Sequence, residues 1–179
     1  TDGLADPAGM TEELHSEKLM RIEGGFVCYQ PPDTAPDIAV GPCRENGFVT
    51  FGSCNNLAKI TPRVIETWAS ILRQVPKSKL LLKGKALGDE AVRMACRKSF
   101  SDLGIDADRL DLRAWISGAS HMSIYNHMDI ALDPFPYNGT TTICETLWMG
   151  VPTIALAGNW HAARVALSLH NMAGFPELV

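Results

Sequence analysis

From residue 47 onward the apolar positions fall into two alternating periods. Phe48-Val-Thr-Phe51, Leu80-Leu-Leu82, Leu110 with Leu112, Asp129-Ile-Ala-Leu-Asp133 and Pro152-Thr-Ile-Ala-Leu156 are short, nearly continuous apolar runs, the pattern of strands buried on both faces. Between them the spacing turns helical. Thr61 and Pro62 supply an N-cap and an N1 proline, Val64, Ile65, Trp68, Ile71, Leu72 and Val75 form one stripe, and Pro76 stops it. Asp89 opens a second helix with Val92, Ala95, Cys96 and Leu103 on one face, and Gly104 suits its C′ position. A short helix is expected over Ser120 to Met128. Thr142-Ile-Cys-Glu145 has the form of a capping box for a helix that Gly150 ends, and Asn159 is placed to cap a last helix through Val165 and Leu169. Strands that alternate with amphipathic helices predict an α/β fold: a Rossmann-like, doubly wound parallel sheet.

Residues 1–46 are different material. Asp6-Pro-Ala-Gly9, Gln30-Pro-Pro-Asp33, Pro36 and Pro42 make turning or extended chain, with one short helical candidate around Met10 to Arg21. Two units are therefore expected, a connecting arm over 1–46 and an α/β domain over 47–179.

Composition narrows the class. Of the 179 residues 46% are hydrophobic and 20% charged, enough apolar material for one core and too much for a disordered chain. The apolar runs fall far short of the ~18 residues of a membrane span, and no signal peptide is visible. A net charge of −4 and a pI near 5.7 argue against a nucleic-acid binder, which would show a basic face. Five cysteines, at 28, 43, 54, 96 and 144, form no CxxC and suit free thiols in a reducing cytoplasm. The final Pro176-Glu-Leu-Val179 reads as mid-phrase, as in a piece of a longer protein.

In an open parallel sheet, ligands bind beyond the carboxyl ends of the strands. The five segments there are Gly52 to Lys59, Lys83-Gly-Lys85, Trp115 to His121, Pro134 to Thr142 and Gly158-Asn-Trp-His161. Small residues, hydroxyls, lysines and histidines collect along that edge. In the fourth segment Asn138-Gly139 turns the chain and Thr140, Thr141 and Thr142 enter a helix, whose first-turn N–H groups and positive dipole end make a seat for phosphate. Glu145, one turn further in, could accept from ribose hydroxyls. The same Thr142 and Glu145 also read as nothing more than a helix cap. Lys59 could neutralise a diphosphate across the cleft, or be a solvated surface charge; Lys83 and Lys85 read as solvated charges at a strand end. His121 could stack on a base. His127, His161 and His170 show no metal-ligand spacing, and the Asp106-Ala-Asp108 string precedes a strand, on the wrong edge of the sheet for a metal site.

Several strings resemble the O-linked N-acetylglucosamine transferase and SPINDLY family: Asn55-Asn-Leu-Ala-Lys-Ile-Thr-Pro62, Asp129-Ile-Ala-Leu-Asp133, Phe135-Pro-Tyr-Asn-Gly-Thr-Thr-Thr142 and Cys144-Glu-Thr-Leu-Trp-Met-Gly-Val-Pro152. Ser16-Glu-Lys-Leu19, Cys28-Tyr-Gln-Pro-Pro32 and Ala163-Arg-Val-Ala-Leu-Ser168 extend the likeness over nearly the whole chain. It looks closest to bacterial members.

The resemblance implies the carboxyl, donor-binding lobe of an inverting, metal-independent glycosyltransferase of the two-lobed GT-B fold. Tetratricopeptide repeats would precede it, and 1–46 would be the connector from the amino lobe. It further implies that Asn56 and Lys59 serve the diphosphate, with Lys59 catalytic through the leaving phosphate, and that Thr140, Thr141 and Thr142 form the phosphate-binding helix start. His121 would stack on the base, Ile116 contact it through the backbone, and Glu145 bind the ribose. Gly118 stands where some members have a lysine.

The donor implied is UDP-N-acetylglucosamine and the acceptor a protein Ser or Thr hydroxyl, reached through the amino lobe and repeats, which would also hold the base. A SPINDLY-type protein O-fucosyltransferase using GDP-fucose is the alternative; Asn138, where plant SPINDLY proteins tend to have Ala, tilts toward UDP. A sugar-nucleotide epimerase of the same fold fits the arm strings poorly. A non-catalytic nucleotide-sugar-binding module is disfavoured by the intact Lys59, His121 and Glu145.

Overall fold

The computed structural model of the chain describes residues 1–115 and 119–179, and for Ala119 and Ser120 the backbone alone. Five parallel strands form the sheet: β1 (Thr50–Ser53), β2 (Lys79–Gly84), β3 (Leu110–Ala114), β4 (Ile130–Leu132) and β5 (Thr153–Ile154), in the order β3-β2-β1-β4-β5. The helices are α1 (Cys43–Asn46), α2 (Pro62–Gln74), α3 (Glu90–Ser101), α4 (Thr141–Trp148) and α5 (Val165–Ala173), with a run of 3-10 helix over Ala119–His127.

Period-two alternation in β2 decides the layering. Leu80 and Leu82 pack on one face of the sheet with Val64, Trp68 and Leu72 of α2 and Phe100 of α3. Leu81, between them, points to the other face and packs with Met122, Ile124, Tyr125 and Met128. Both faces are therefore covered, as the unbroken apolar strand runs predict. The helix signals also act: Thr61 Oγ1 accepts from the Val64 amide with Pro62 in the first turn, and Asp89 accepts from the Ala91 amide.

Strand β1 is the switch point. The chain leaves it toward β2 and β3 on one side and returns to β4 and β5 on the other. Ligands of open α/β sheets bind beyond the strand ends at such a point, and here Ser53, Asn55, Asp133 and Thr142 line a narrow crevice between the ends of β1 and β4.

The structure differs from the sequence expectation at several places. Between Met10 and Arg21 only Glu12–Leu14 forms a 3-10 turn. Met10, Leu14 and Met20 stay exposed, and so short a helix without a packed face does not hold. Gly104 takes a left-handed φ of 78° two residues beyond the Asp102 C-cap, one later than expected. Asn159 does not open the last helix. A 3-10 turn over His161–Ala163 comes first, and Arg164 stands at the N-cap of α5. Strand β5 stops at Ile154, because the next amide, Ala155 N–H, turns to the Leu178 carbonyl (3.0 Å).

Residues 1–46 lie over the helical layer. Phe26, Val27 and Tyr29 pack on Ile143, Cys144, Val165 and Leu169 of α4 and α5. Asp2 accepts from the Ser168 hydroxyl, and the Ala39 amide donates to Asn126 Oδ1 (3.1 Å).

Candidate functional site

The crevice between β1 and β4 is built by three segments that meet on one carboxylate. Asp133, immediately past β4, is 4% exposed. It accepts the Gly139 N–H at 2.8 and 3.0 Å and the Asn55 side-chain amide at 3.3 Å. Asn55, just past β1, accepts in turn from Thr142 Oγ1 (3.2 Å). The end of β1, the end of β4 and the start of α4 are thereby tied together. Burial lifts the Asp133 carboxyl to about 7, against the pull of the Gly139 amide, of Lys59, and of the Asn138 and Asn55 amides.

Lys59 closes a 3-10 turn over Leu57–Lys59 that Asn56 caps, its Oδ1 accepting from the Ala58 amide (3.1 Å). The Lys59 ammonium crosses the crevice, donates to the Asn138 carbonyl (2.9 Å) and sits 4.2 Å from the centre of the Tyr137 ring. Partial burial lowers its pKa, and the Asp133 charge opposes that shift. Thr140 stands at the N-cap of α4 without a side-chain cap bond, and Thr141 and Thr142 are the first helical residues. The first-turn N–H groups of an α-helix have no intrahelical acceptor, so a donor edge and an ammonium flank the same loop.

The second group lies one turn along α4. Glu145 is not part of a capping box. Its carboxylate accepts from the Tyr125 hydroxyl and sits 3.2 Å from His121 Nε2 through each oxygen. Tertiary partners have outcompeted the local cap, because Tyr125 is fully buried and its hydroxyl needs an acceptor. On the far side of the His121 ring, Nδ1 lies 2.7 Å from Lys83 Nζ, and the Trp115 ring packs against the imidazole at 4.5 Å between centroids, tilted by 36°.

Of the residues singled out in the sequence, Lys59, Thr140, Thr141 and Thr142 meet at the crevice, and His121 and Glu145 meet beside it. Asn56 is exposed at the rim. Ile116 and Gly118 lie outside the described residues. Asn138 is buried and turned inward, donating to the Leu156 carbonyl (3.4 Å) and accepting from the Ala166 amide (3.3 Å). Its side chain therefore holds the loop and does not reach a donor, which removes its weight in the choice between UDP and GDP. His161 binds Asp6 of the arm (2.6 Å). Asp106 stands at the N-cap of the 3-10 turn Ala107–Arg109 that precedes β3 and Asp108 lies within it, at the opposite edge of the sheet.

Lys83 departs most from expectation. It is 2% exposed, where a solvated strand-end charge was expected. Asp133, Asn55 and Tyr125 were likewise unassigned. The signal for Lys83 was available, since a lysine continuing Leu80-Leu-Leu82 in a strand covered on both faces cannot reach water.

Three kinds of likeness bear on this site. The model of glycosyl transferase family 41 matches residues 44–179. A probable UDP-N-acetylglucosamine–peptide N-acetylglucosaminyltransferase SPINDLY of Petunia hybrida is 46% identical over the whole of this chain, and the match covers 19% of that protein. The UDP-N-acetylglucosamine–peptide N-acetylglucosaminyltransferase of Caenorhabditis elegans is 33% identical over 84% of this chain and 12% of its own length. The chain thus spans about a fifth or less of these curated relatives. Among solved structures, a mutant O-GlcNAc transferase of Thermobaculum terrenum superposes with a TM-score of 0.91 at 37% identity, covering 99% of this chain and 33% of that one. A sucrose-phosphate synthase of Thermosynechococcus elongatus, at 18% identity and TM-score 0.52, shares the fold.

The expectation of a bacterial-type member is not carried by these identities, 46% to the Petunia protein against 37% to the Thermobaculum one. What they do carry is common to all of them except the synthase: the chain belongs to glycosyl transferase family 41, the O-GlcNAc transferase and SPINDLY family.

Proposed function

We propose that the chain is the donor-binding part of a protein O-glycosyltransferase, holding a nucleoside diphosphate sugar at the crevice between β1 and β4. The observation that carries this reading is the reach of Lys59 across the crevice to the loop that opens α4. It brings an ammonium and a helix N-terminus to one place, while His121 and Glu145 form a separate polar pair beside it. A diphosphate fits the first group. A base and a ribose fit the second, with Asn56 at the rim beside Lys59.

The reaction is displacement at the anomeric carbon. A Ser or Thr hydroxyl of an acceptor protein attacks, the bond from that carbon to the diphosphate oxygen breaks, and configuration inverts. Negative charge grows on the departing β-phosphate, where Lys59 and the amides of Thr140, Thr141 and Thr142 stabilise it. The base that takes the hydroxyl proton and the acceptor groove belong to a lobe outside these residues, which residues 1–46 connect. Five free cysteines support a reducing, cytoplasmic setting.

The donor in this reading is UDP-N-acetylglucosamine, the nucleotide sugar in the names of the relatives above. The SPINDLY-type alternative, GDP-fucose, gains from the inward turn of Asn138, which had weighed against it. Calorimetric titration of the chain with UDP and with GDP separates the two. Saturable UDP binding with GDP at least about tenfold weaker is the expected result. The opposite order would transfer the site to the GDP-sugar, and no binding of either would reject a nucleotide site.

A further inference from the structure

Lys83 is a buried lysine whose ammonium is spent on another side chain. Nζ lies 2.7 Å from His121 Nδ1 and 3.3 Å from the His121 carbonyl, with the Trp115 ring centre at 5.0 Å. Burial lowers its pKa, and the Glu145 carboxylate pulls the other way. The ring face of Trp115 also favours the charged form. Arg113 adds a cation that disfavours it.

An ammonium can only donate. At 2.7 Å it therefore requires a lone pair on Nδ1, which leaves the single ring proton of a neutral imidazole on Nε2. Nε2 is the nitrogen that faces Glu145, 3.2 Å from both carboxylate oxygens. The second donor bond, to the His121 carbonyl, pins the backbone of the same residue.

We propose that Lys83 is a positioning residue for the nucleoside end of the cleft. Its ammonium holds His121 as a neutral imidazole with the proton on Nε2, and that proton fixes the Glu145 carboxylate. The inference rests on the reading that His121 and Glu145 receive the nucleoside, but the proton position can be measured without any ligand. The competing arrangement has the same heavy-atom positions. In it a neutral Lys83 amine accepts from Nδ1–H of an imidazolium that is paired with Glu145. The two place different charges beside the base, a neutral ring in one and a cation in the other.

Nitrogen-15 NMR of the ring nitrogens at neutral pH, with His121 assigned by its loss in His121→Gln, distinguishes them in the protein without ligand. The proposal expects an unprotonated, hydrogen-bond-accepting Nδ1 and a protonated Nε2 in the parent. It expects protonated Nδ1 to gain population in Lys83→Met, where no ammonium claims the Nδ1 lone pair. A doubly protonated ring in the parent overturns it, and this measurement does not depend on whether the variant folds. Titrations then test the role. Lys83→Met should weaken UDP and uridine by the same factor, about tenfold, as expected for loss of a charge-assisted hydrogen bond that orders the pocket. Weakening of UDP alone would make Lys83 a phosphate ligand and reject the positioning role, as would full affinity for both. Failure of the parent to bind UDP or uridine would instead reject the nucleotide site and leave the proton position standing.

Discussion

Asp133 carries an electrostatic strain that the rest of the crevice is arranged around. Its carboxyl is lifted to about 7 from an ordinary 3.8, burial outweighing the Gly139 amide and Lys59. The folded protein therefore holds a proton that the unfolded chain has already released across that window. The resulting stability is complete below 3.8 and is lost as pH rises through about 7. Asp133→Asn keeps an oxygen for the Gly139 amide and removes the titration. Thermal melts of the variant should show a flatter decline between about pH 5 and about pH 8 than the parent's, and a higher melting temperature than the parent at the alkaline end. Equal slopes in both proteins would place the proton elsewhere. Asp133 was visible in the sequence as a residue, but its role was not. Charge next to an apolar strand reads as the strand's solvated end, and whether it turns outward or inward depends on what the opposite crossover places there.

At the scale of elements, the start of α4 is the part most sensitive to shape. Gly139 accepts no side chain: a Cβ there would stand 2.1 Å from Thr142 Oγ1, 2.9 Å from Asp133 Oδ1 and 3.1 Å from Asn55 Oδ1. Gly139→Ala should cost roughly 1–3 kcal/mol of stability, the range for overpacking a closed site. It should also weaken UDP more than uridine, because the displaced groups order the helix entrance and not the His121 pair. Denaturant unfolding combined with titration checks both parts, and a variant as stable as the parent would show the loop to be loose. The threonine string and Gly150 were legible as a helix start and stop because those signals are local, and Gly150 indeed takes a φ of 71°. The capping box was not, because a Thr-x-x-Glu string is satisfied equally well by a distant histidine and tyrosine. The helix expected near Met10 failed for the complementary reason: its apolar residues had no surface to cover.

For the whole molecule, the sheet was the most legible level. Strands buried on both faces leave an unbroken apolar record, and helices between parallel strands leave a periodic one. Strand order is less directly written, yet it is what sets the ends of β1 and β4 side by side. The chain covers 19% of its Petunia relative, and under the proposed function the proton acceptor belongs to another lobe. The 179-residue chain alone is therefore expected to transfer no detectable sugar to peptide while still binding nucleotide weakly, since in the proposed function a further lobe completes and preorganises the cleft. A transfer assay with labelled donor checks this, and measurable turnover would relocate the catalytic base into these residues.

Under the proposed function Lys59 and the α4 entrance hold a diphosphate while His121 and Glu145 hold the nucleoside. Calorimetric comparison of UDP and uridine binding to Lys59→Ala separates the two halves of that assignment. Lys59→Ala should weaken UDP by roughly 1.5–3 kcal/mol, the value of hydrogen bonds to charged groups, and leave uridine almost unchanged. Undiminished UDP affinity in Lys59→Ala, or an equal loss for UDP and uridine, would contradict the assignment.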